Sequence, residues 1–358
     1  MTDYSITLPS YSIGEQVYKQ IPTVCAPFGA TAVVIGGHKA MAAVRERLLA
    51  AIQGSAVTIT DFVWYGGEAS RENIAALAEN PAVAAADMIF AVGGGKALDT
   101  GKAYGEESGK PVFTFPTIAS TCAATTAVSI LYHADGTFLA PDFHKAPPVH
   151  AFILPSVIAA APRRYIWAGM GDTMAKHYEC TISCRNDVPA HSDAMGIALS
   201  SMCAEPIVRW GEQAMADCEA HRVTPELTEI IEAIIISTGF VSNFVQVDYT
   251  TGMAHAMYNG FTVLPSTEEN HHLHGEVVSY GILVMLTVDK QYAERDKLMA
   301  FSKSIGLPTR LADIHARPED LKAVTDKALA GIDVRVWPYP VDRQMLIDGV
   351  MELEQAQA

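Results

Sequence analysis

The sequence contains few charged residues, and basic residues are the scarcer kind. Of 358 residues, 25 are Lys or Arg and 40 are Asp or Glu, which gives a formal net charge of −15. Binding to nucleic acid or to an anionic membrane surface requires clusters of basic side chains, which this balance disfavours. We therefore expect a small-molecule substrate and neither of those macromolecular partners. Hydrophobic residues make up 49% of the chain, which is typical of a globular protein.

Long apolar runs and a leader sequence are also lacking. No stretch approaches the roughly 20 uncharged apolar residues that a transmembrane helix needs. The N-terminus has no basic start followed by an apolar core, so we predict no signal peptide. The six cysteines are scattered without the spacing of a zinc ribbon, as is usual for thiols in a reducing compartment. These absences predict a soluble, cytoplasmic protein.

The first part of the chain alternates short apolar runs with helical patterns. Strands are predicted at 30–35, 56–65, 88–92, 111–116 and 149–154, and helices at 39–53, 71–80 and 97–107. This alternation predicts a parallel sheet with helices on both faces. A hairpin is predicted over 129–138, with Asp135-Gly136 at its turn. Beyond Pro155 the patterns become helical throughout, so we expect an α/β domain at 1–160 and an all-helical domain at 161–358.

A glycine-rich turn follows one of the predicted strands. The run MIFAV leads into Gly93-Gly94-Gly95-Lys96 and then into a helix. Glycines let backbone N–H groups approach a pyrophosphate, and a helix N-terminus adds unpaired donors and a favourable dipole. The turn is not the G-x-G-x-x-G fingerprint of the classical dinucleotide fold. The alternative that this turn has only a structural role therefore stays open at this point.

The turn belongs to the segment GGGKALDTGKA, which PTIASTCAATTAVSILY follows about twenty residues later. These two segments resemble the glycerol dehydrogenase branch of the iron-containing alcohol dehydrogenase superfamily. The resemblance implies a dinucleotide-binding α/β domain followed by an all-α domain, as in dehydroquinate synthase. The positions that it implies for contacts to the cofactor pyrophosphate are Gly94, Gly95, Lys96 and Leu98. The positions that it implies for the nicotinamide half are Thr117, Ser120, Thr126, Val128 and Tyr132. Asp99 matches a family acid, although a first-turn helix acid favoured by the dipole explains it equally well.

Three segments of the helical half concentrate side chains that bind metals. Asp172 follows a glycine at a predicted helix start, His255 lies in a small apolar helix pattern, and His274 precedes a Gly-Glu step. Taken singly, they are an N-cap and two ordinary histidines. Their motifs, in this order and at these separations, resemble the same branch over nearly the whole chain. That resemblance implies that Asp172, His255 and His274 are the catalytic metal ligands, and it implies a homo-oligomer.

A divalent ion held by one carboxylate and two neutral imidazoles keeps a net positive charge, which stabilises an alkoxide. We therefore predict an oxidoreductase that transfers a hydride between NAD(P)H and a carbonyl or secondary alcohol. The family commonly has a histidine where this chain has Tyr258. This departure favours a three-residue shell and zinc first, with iron second, although His271 could substitute for a missing ligand.

Two further departures bear on specificity. Glycerol dehydrogenases have an aspartate where this chain has Cys122, and STCAA with GDT-x-AK resembles the hydroxycarboxylate dehydrogenases. We therefore predict that Cys122 lies at the substrate and favour a 2-oxo acid or 2-hydroxy acid. Glycerol is the alternative, and a dehydroquinate synthase-like lyase is a more distant one. The early strand ends in Gly36-Gly37-His38-Lys39 with no acid, so Lys39 favours NADP over NAD.

Overall fold

The computed structural model describes residues 5–357, apart from the side chain of Glu268. The chain divides into two compact units, Met1–Arg163 with Asp217–Val223, and Arg164–Ala216 with Thr224–Ala358. The short segment 217–223 was expected in the helical domain, because its composition resembles that of its neighbours, but it belongs with the first unit. Inside that unit a ring nitrogen (Nδ1) of His221 lies 3.0 Å from the carbonyl oxygen of Ala159.

Within the described part of the chain, the first unit has eight strands and six α-helices. The strands are β1 Ser10–Ile13, β2 Thr31–Gly36, β3 Thr58–Trp64, β4 Met88–Gly93, β5 Val112–Pro116, β6 Val128–Tyr132, β7 Phe138–Phe143 and β8 His150–Ile153. The helices are α1 Ile21–Cys25, α2 His38–Ile52, α3 Arg71–Ala78, α4 Pro81–Ala85, α5 Gly95–Ser108 and α6 Pro155–Ala159. Short 3-10 turns, Val17–Gln20 and Ala26–Phe28, flank α1.

Six strands form a parallel sheet in the order β1-β8-β5-β4-β2-β3, and β6 pairs with β7 as an antiparallel hairpin. Strand β2 pairs with both β3 and β4, in a register that sets Ala32 opposite Met88. The chain runs outward from β2 to β3 and then continues on the other side, at β4. The strand order therefore reverses between β2 and β4. In open α/β sheets the carboxyl ends of strands at such a reversal are where ligands bind.

The central strands are apolar along their whole length because helices cover both faces of the sheet. In β2 the side chains of Ala32, Val33, Val34 and Ile35 are fully buried, and every residue of β4 is buried. Within this core the ring of Phe115 on β5 stacks on Phe152 of β8 and contacts Phe90 of β4 at a tilted angle. The predicted α/β class is confirmed.

Three details of this unit differ from the sequence expectations. The helix predicted at 71–80 ends at Ala78, because Pro81 begins a new helix whose first N–H groups are capped by the Asn80 side chain. Strand β1 was not predicted, since SYSI carries no long apolar run, and it pairs at the sheet edge with β8. The helix after the glycine turn begins at Gly95, so Asp99 lies in its second turn and not its first.

The second unit is helical, and no strand occurs in it among the residues that the structure describes. Its α-helices are α7 Arg164–Ser183, α8 His191–Leu199, α9 Glu205–Glu219, α10 Pro225–Glu232, α11 Thr238–Phe244, α12 Val247–Thr250, α13 Met253–Phe261, α14 Pro265–Glu269, α15 His274–Val288, α16 Tyr292–Ile305, α17 Leu321–Ala330 and α18 Arg343–Gln355. A π-helical turn, Ala233–Ser237, joins α10 to α11. The 3-10 turns are Ser200–Cys203, Leu311–Ile314 and Pro318–Asp320.

The continuous helical stretch Pro225–Phe244 is long and apolar enough, by length and composition, to cross a membrane. It contains Glu226, Glu229 and Glu232, so it differs from the uncharged apolar run that was expected to be lacking. Of its most apolar window, 56% is buried inside the protein. A buried core helix of a globular protein passes the same test, so this stretch is weak evidence for a membrane.

Helices α7 and α15 approach each other through glycines. A Cβ atom at Gly275 would lie 2.0 Å from the carbonyl oxygen of Ala168, and one at Gly171 would lie 2.3 Å from the carbonyl oxygen of Gly275. A Cβ atom at Gly281 would similarly lie 2.5 Å from the carbonyl oxygen of Ala254, which brings α13 against α15. Gly171, Gly275 and Ala254 are the chain neighbours of the three predicted metal ligands, Asp172, His274 and His255 respectively. The close backbone approach therefore sets the separation of those ligands.

We predict that Gly275→Ala forces α7 and α15 apart. The clash is with backbone, which cannot rotate away, so we expect a loss of about 1–3 kcal/mol in the free energy of unfolding, as for other overpacked cores. Zinc binding should fall with it, because Asp172 and His274 separate. Urea denaturation of the metal-free protein and a zinc-chelator competition measure the two effects.

The matched control is Gly306→Ala, where nothing lies within 4 Å of the added carbon but φ is +75°. It should lose roughly 1–2 kcal/mol from left-handed backbone strain alone and keep its zinc affinity. If Gly275→Ala keeps the same zinc affinity as the control, helix separation does not set the ligand geometry.

Candidate functional site

The structure brings the three predicted metal ligands together within the second unit. Asp172 lies inside α7, His255 inside α13, and His274 is the first residue of α15. One ligand atom from each lies within 4.8 Å of the other two. Both imidazoles turn Nε2 towards the same oxygen of Asp172, at 3.4 Å for His255 and 3.1 Å for His274. Two nitrogens and one carboxylate oxygen around one point are the donors of an open zinc or iron site.

The position of Asp172 corrects one sequence expectation. It was predicted at a helix start, where it could have been a simple N-cap. It lies in the third turn of α7, a helix that begins at Arg164. The N-cap alternative is therefore wrong, and its carboxylate is available for the two histidines.

Glu179 contacts the ring nitrogen of His255 that faces away from Asp172, and it was not predicted from the sequence. Its side chain is fully buried, and it accepts hydrogen bonds from the backbone N–H of His255 at 3.0 Å and from Nδ1 of His255 at 2.7 Å. A carboxylate on one ring nitrogen fixes the tautomer and leaves the other nitrogen free to bind a metal. Glu179 follows Asp172 by seven positions, which places both on one face of α7, but this spacing does not show that His255 of α13 lies against Glu179.

The electrostatics of the cluster favour a cation. Burial acts to raise the pKa of Asp172, but His274 and His255 outweigh it and hold the pKa well below its ordinary value. Burial lowers the pKa of His255, while Glu179 and Asp172 oppose that effect and raise it to about 10. The buried carboxylate of Glu179 and the half-buried carboxylate of Asp172 thus flank one imidazole and stabilise positive charge there. A divalent ion would supply that charge, so the donor set fits a metal.

The cluster has three members among the residues that the structure describes. His271, which the sequence analysis considered as a substitute ligand, is not one of them. Tyr258 instead packs the edge of its ring against His274, with the ring centroids 4.2 Å apart. Burial and the nearby Asp172 carboxylate raise the pKa of the Tyr258 phenol.

The residues predicted to hold a pyrophosphate lie at the start of α5 in the first unit. Gly94 is the N-cap, and a Cβ atom there would lie 2.4 Å from the side chain of Ile118, so the turn has no room for a side chain. Lys96 pairs with Glu68 at 2.6 Å and lies over the ring of Tyr132 at 5.1 Å. Leu98 is buried.

The predicted nicotinamide positions follow β5 and reach into β6. The backbone N–H of Thr117 donates to the carbonyl oxygen of Gly93, which joins this segment to the glycine turn. Thr117 and Thr126 are buried, whereas Ser120, Val128 and Tyr132 are half-buried. Cys122, predicted at the substrate, is half-buried in the same segment.

Lys39 is exposed in the first turn of α2, directly after β2. Strand β2 lies beside β4, so Lys39 and the glycine turn share the carboxyl edge at which the strand order reverses. His38 stacks on Trp64, with ring centroids 5.3 Å apart, at the end of β3. Lys39, the glycine turn and Thr117 thus follow the carboxyl ends of neighbouring strands, whereas Val128 and Tyr132 lie on β6, outside that sheet; the individual roles of these residues stay predictions.

Comparison with known proteins places the chain in a family. A model described as iron-containing alcohol dehydrogenase matches residues 9–162. The chain is 35% identical to a glycerol dehydrogenase from Thermotoga maritima over 274 residues, covering 74% of this chain and 73% of the relative. The chain belongs to the iron-containing alcohol dehydrogenase family. It is an oxidoreductase of the glycerol dehydrogenase-like branch, as the sequence motifs predicted.

Two further relatives refine this placement. Hydroxycarboxylate dehydrogenase A of Escherichia coli K12 is 31% identical over 300 residues, covering 84% of this chain and 81% of the relative. The crystal structure of a probable glycerol dehydrogenase from Sinorhizobium meliloti 1021 matches with a TM-score of 0.85 and 27% identity, covering 99% of both chains. The predicted architecture, an α/β unit and a helical unit, is that of this family.

We predict that Glu179→Gln weakens zinc binding by about 10- to 100-fold, the usual cost of losing the partner of a metal-bound histidine. An amide cannot balance the charge on His255 and holds the ring less firmly. A competition titration with a chromophoric zinc chelator measures the change.

Glu294→Gln is the matched control. Glu294 accepts a hydrogen bond of 2.7 Å from the hydroxyl of Tyr178, which precedes Glu179 on α7. It should leave zinc affinity unchanged. Equal affinities in both variants would show that Glu179 has only a packing role.

Proposed function

We propose that this protein is a metal-dependent, nicotinamide-dependent dehydrogenase of a small hydroxylated substrate. The observation that carries the proposal is the convergence of Asp172, His255 and His274, with Glu179 behind His255. Such a site stabilises the negative charge that develops on a substrate oxygen during hydride transfer.

Each residue of the cluster has a different role in the proposed reaction. Glu179 holds His255 with Nδ1 protonated, so Nε2 faces Asp172. The side chain of His274 is 39% exposed, against 15% for Asp172, so the cluster is open on the side of His274. A bound divalent ion would lower the pKa of a substrate hydroxyl, and the dinucleotide would accept or donate the hydride.

For the substrate we propose a small polyol of the glycerol type. Relatives that are named glycerol dehydrogenases support this alternative better than the 2-oxo acid that the sequence analysis favoured. A 2-oxo or 2-hydroxy acid is the second candidate. It is supported by Cys122 in place of the family's aspartate and by the likeness to hydroxycarboxylate dehydrogenase A. The lyase alternative has no support in these relatives.

For the cofactor we propose NADP(H), with NAD(H) as the alternative. A carboxylate at the end of β2 would accept the ribose hydroxyls of NAD and repel a 2′-phosphate. The residues there are Gly36, Gly37, His38 and Lys39, and both Lys39 and His38 are exposed. For the metal we propose zinc before iron, because three protein ligands suit an open tetrahedral site.

Chelation should abolish oxidation of glycerol by the dinucleotide, and zinc should restore it better than iron. The measurement is near-ultraviolet absorbance of the reduced cofactor, with NAD and NADP compared in each reaction. His255→Ala should be inactive. His177→Ala is the control, since His177 also lies on α7 but contacts Ser200 and not the cluster. If the wild type, fully loaded with zinc, shows no dehydrogenase or reductase activity with any alcohol or oxo acid, the proposal is wrong.

Cys122→Asp should raise glycerol oxidation relative to 2-oxo acid reduction by roughly tenfold or more, because a carboxylate accepts polyol hydroxyls and repels an acid substrate. The ratio of kcat/KM for the two substrates measures it. Cys122→Ser, which removes the thiol without adding charge, should leave the ratio near that of the wild type. If Cys122→Asp leaves the ratio unchanged, Cys122 does not set specificity.

A further inference from the structure

The last lysine of the motif GGGKALDTGK has no role in the site described so far. Lys102 lies in α5, two turns after the glycine turn, and its side chain is 2% exposed. Lysine is almost never fully buried unless its ammonium group is paired. What surrounds this ammonium group therefore indicates what it does.

Four oxygen atoms surround Nζ of Lys102. They are the carbonyl oxygen of Val128 at 2.5 Å, the hydroxyl and carbonyl oxygens of Thr126 at 3.2 and 3.4 Å, and a carboxylate oxygen of Asp99 at 2.9 Å. Three of the four belong to the segment that enters β6. One side chain of α5 thus holds both Thr126 and Val128.

Asp99 extends the same connection along β6. Its second carboxylate oxygen accepts the backbone N–H of Ile130 at 3.2 Å, and its carbonyl oxygen accepts the hydroxyl of Ser129 at 2.9 Å. The residues 126, 128, 129 and 130 are therefore all fixed to two residues of α5, one turn apart. The start of that same helix carries Gly94, Gly95 and Lys96.

We propose that Lys102 is a positioning residue for the nicotinamide half of the bound dinucleotide. It would fix the distance between the pyrophosphate positions at the start of α5 and the nicotinamide positions Thr126 and Val128. This inference rests on the proposed function, because the roles of Thr126 and Val128 come from the family resemblance.

A purely stabilising role explains this arrangement poorly. Removing two charges from water costs free energy that a buried ion pair often fails to recover, and well-packed apolar replacements are frequently no less stable. The backbone carbonyl oxygens of Thr126 and Val128 both accept from one ammonium group, which fixes the positions of these two residues relative to α5. Burial raises the pKa of the Asp99 carboxyl against the opposing effect of Lys102, which illustrates the cost of keeping the pair.

The test compares the full dinucleotide with ADP-ribose, which lacks the nicotinamide. Two variants are used, Lys102→Met and the double variant Asp99→Asn with Lys102→Met. The double variant removes both buried charges, so it keeps the test available if the single variant does not fold. We expect the affinity for NADPH or NADH to fall about tenfold in the variants, equivalent to 1.4 kcal/mol. The affinity for ADP-ribose should change by less than about twofold. Fluorescence titration of the reduced cofactor and calorimetry with ADP-ribose give the two values.

Lys110→Met is the matched control. Lys110 also donates to two backbone carbonyls, those of Ala84 and Ala86, but it lies beyond the C-terminus of α5 and contacts neither Thr126 nor Val128. It should leave the ratio of dinucleotide to ADP-ribose affinity at the wild-type value. Lys102→Arg, which can still donate to the carbonyls, should recover part of the dinucleotide affinity.

Each outcome separates the two proposals. A wild type that binds neither reduced dinucleotide overturns the proposed function. A wild type that binds one, together with Lys102 variants that lose dinucleotide and ADP-ribose affinity equally or lose neither, overturns the positioning role alone.

Discussion

The close approach of α7 and α15 is the constraint on which the candidate metal centre depends. Gly171 faces the backbone of Gly275, and Gly275 faces the backbone of Ala168, with no room for a methyl group at either glycine. Each is the chain neighbour of a ligand, so the approach that removes their side chains also brings Asp172 and His274 together. Helix α13 joins through the contact of Gly281 with Ala254, the neighbour of His255. Each glycine lowers the stability of its helix by about 1 kcal/mol relative to alanine, but it allows this close approach.

Electrostatics then decides what the assembled cluster can hold. Asp172 and Glu179 bring two carboxylates to one imidazole in a buried place, where uncompensated negative charge is expensive. The raised pKa of His255 expresses that demand for positive charge. The same demand is met by a divalent cation when Glu179 keeps Nδ1 of His255 protonated and Nε2 free. Ligand geometry and charge therefore point to the same occupant.

The first unit shows a second use of buried charge. The Lys102–Asp99 pair in α5 holds the segment that enters β6, which includes Thr126 and Val128, while the start of the helix forms the glycine turn. The glycine turn lies at the carboxyl end of β4, beside the reversal of strand order between β2 and β4. Lys96, which is paired with Glu68, and the exposed Lys39 supply positive charge along that edge in a chain that is otherwise strongly acidic.

The sequence alone determined the two-part organisation, the central apolar strands and the glycine turn, because periodicity and short motifs are local properties. The family resemblance of its motifs, not periodicity, singled out Asp172, His255 and His274, the three residues that cluster in the structure. It misplaced Asp172 at a helix start and missed β1, since a GD step and a short polar strand give weak local signals. Only the tertiary structure decided that Glu179 supports His255, that Gly275 closes the helix contact, and that Lys102 holds Thr126 and Val128. These relations join residues from different helices and strands, and their distances depend on how backbones pack, which no spacing along one chain segment encodes.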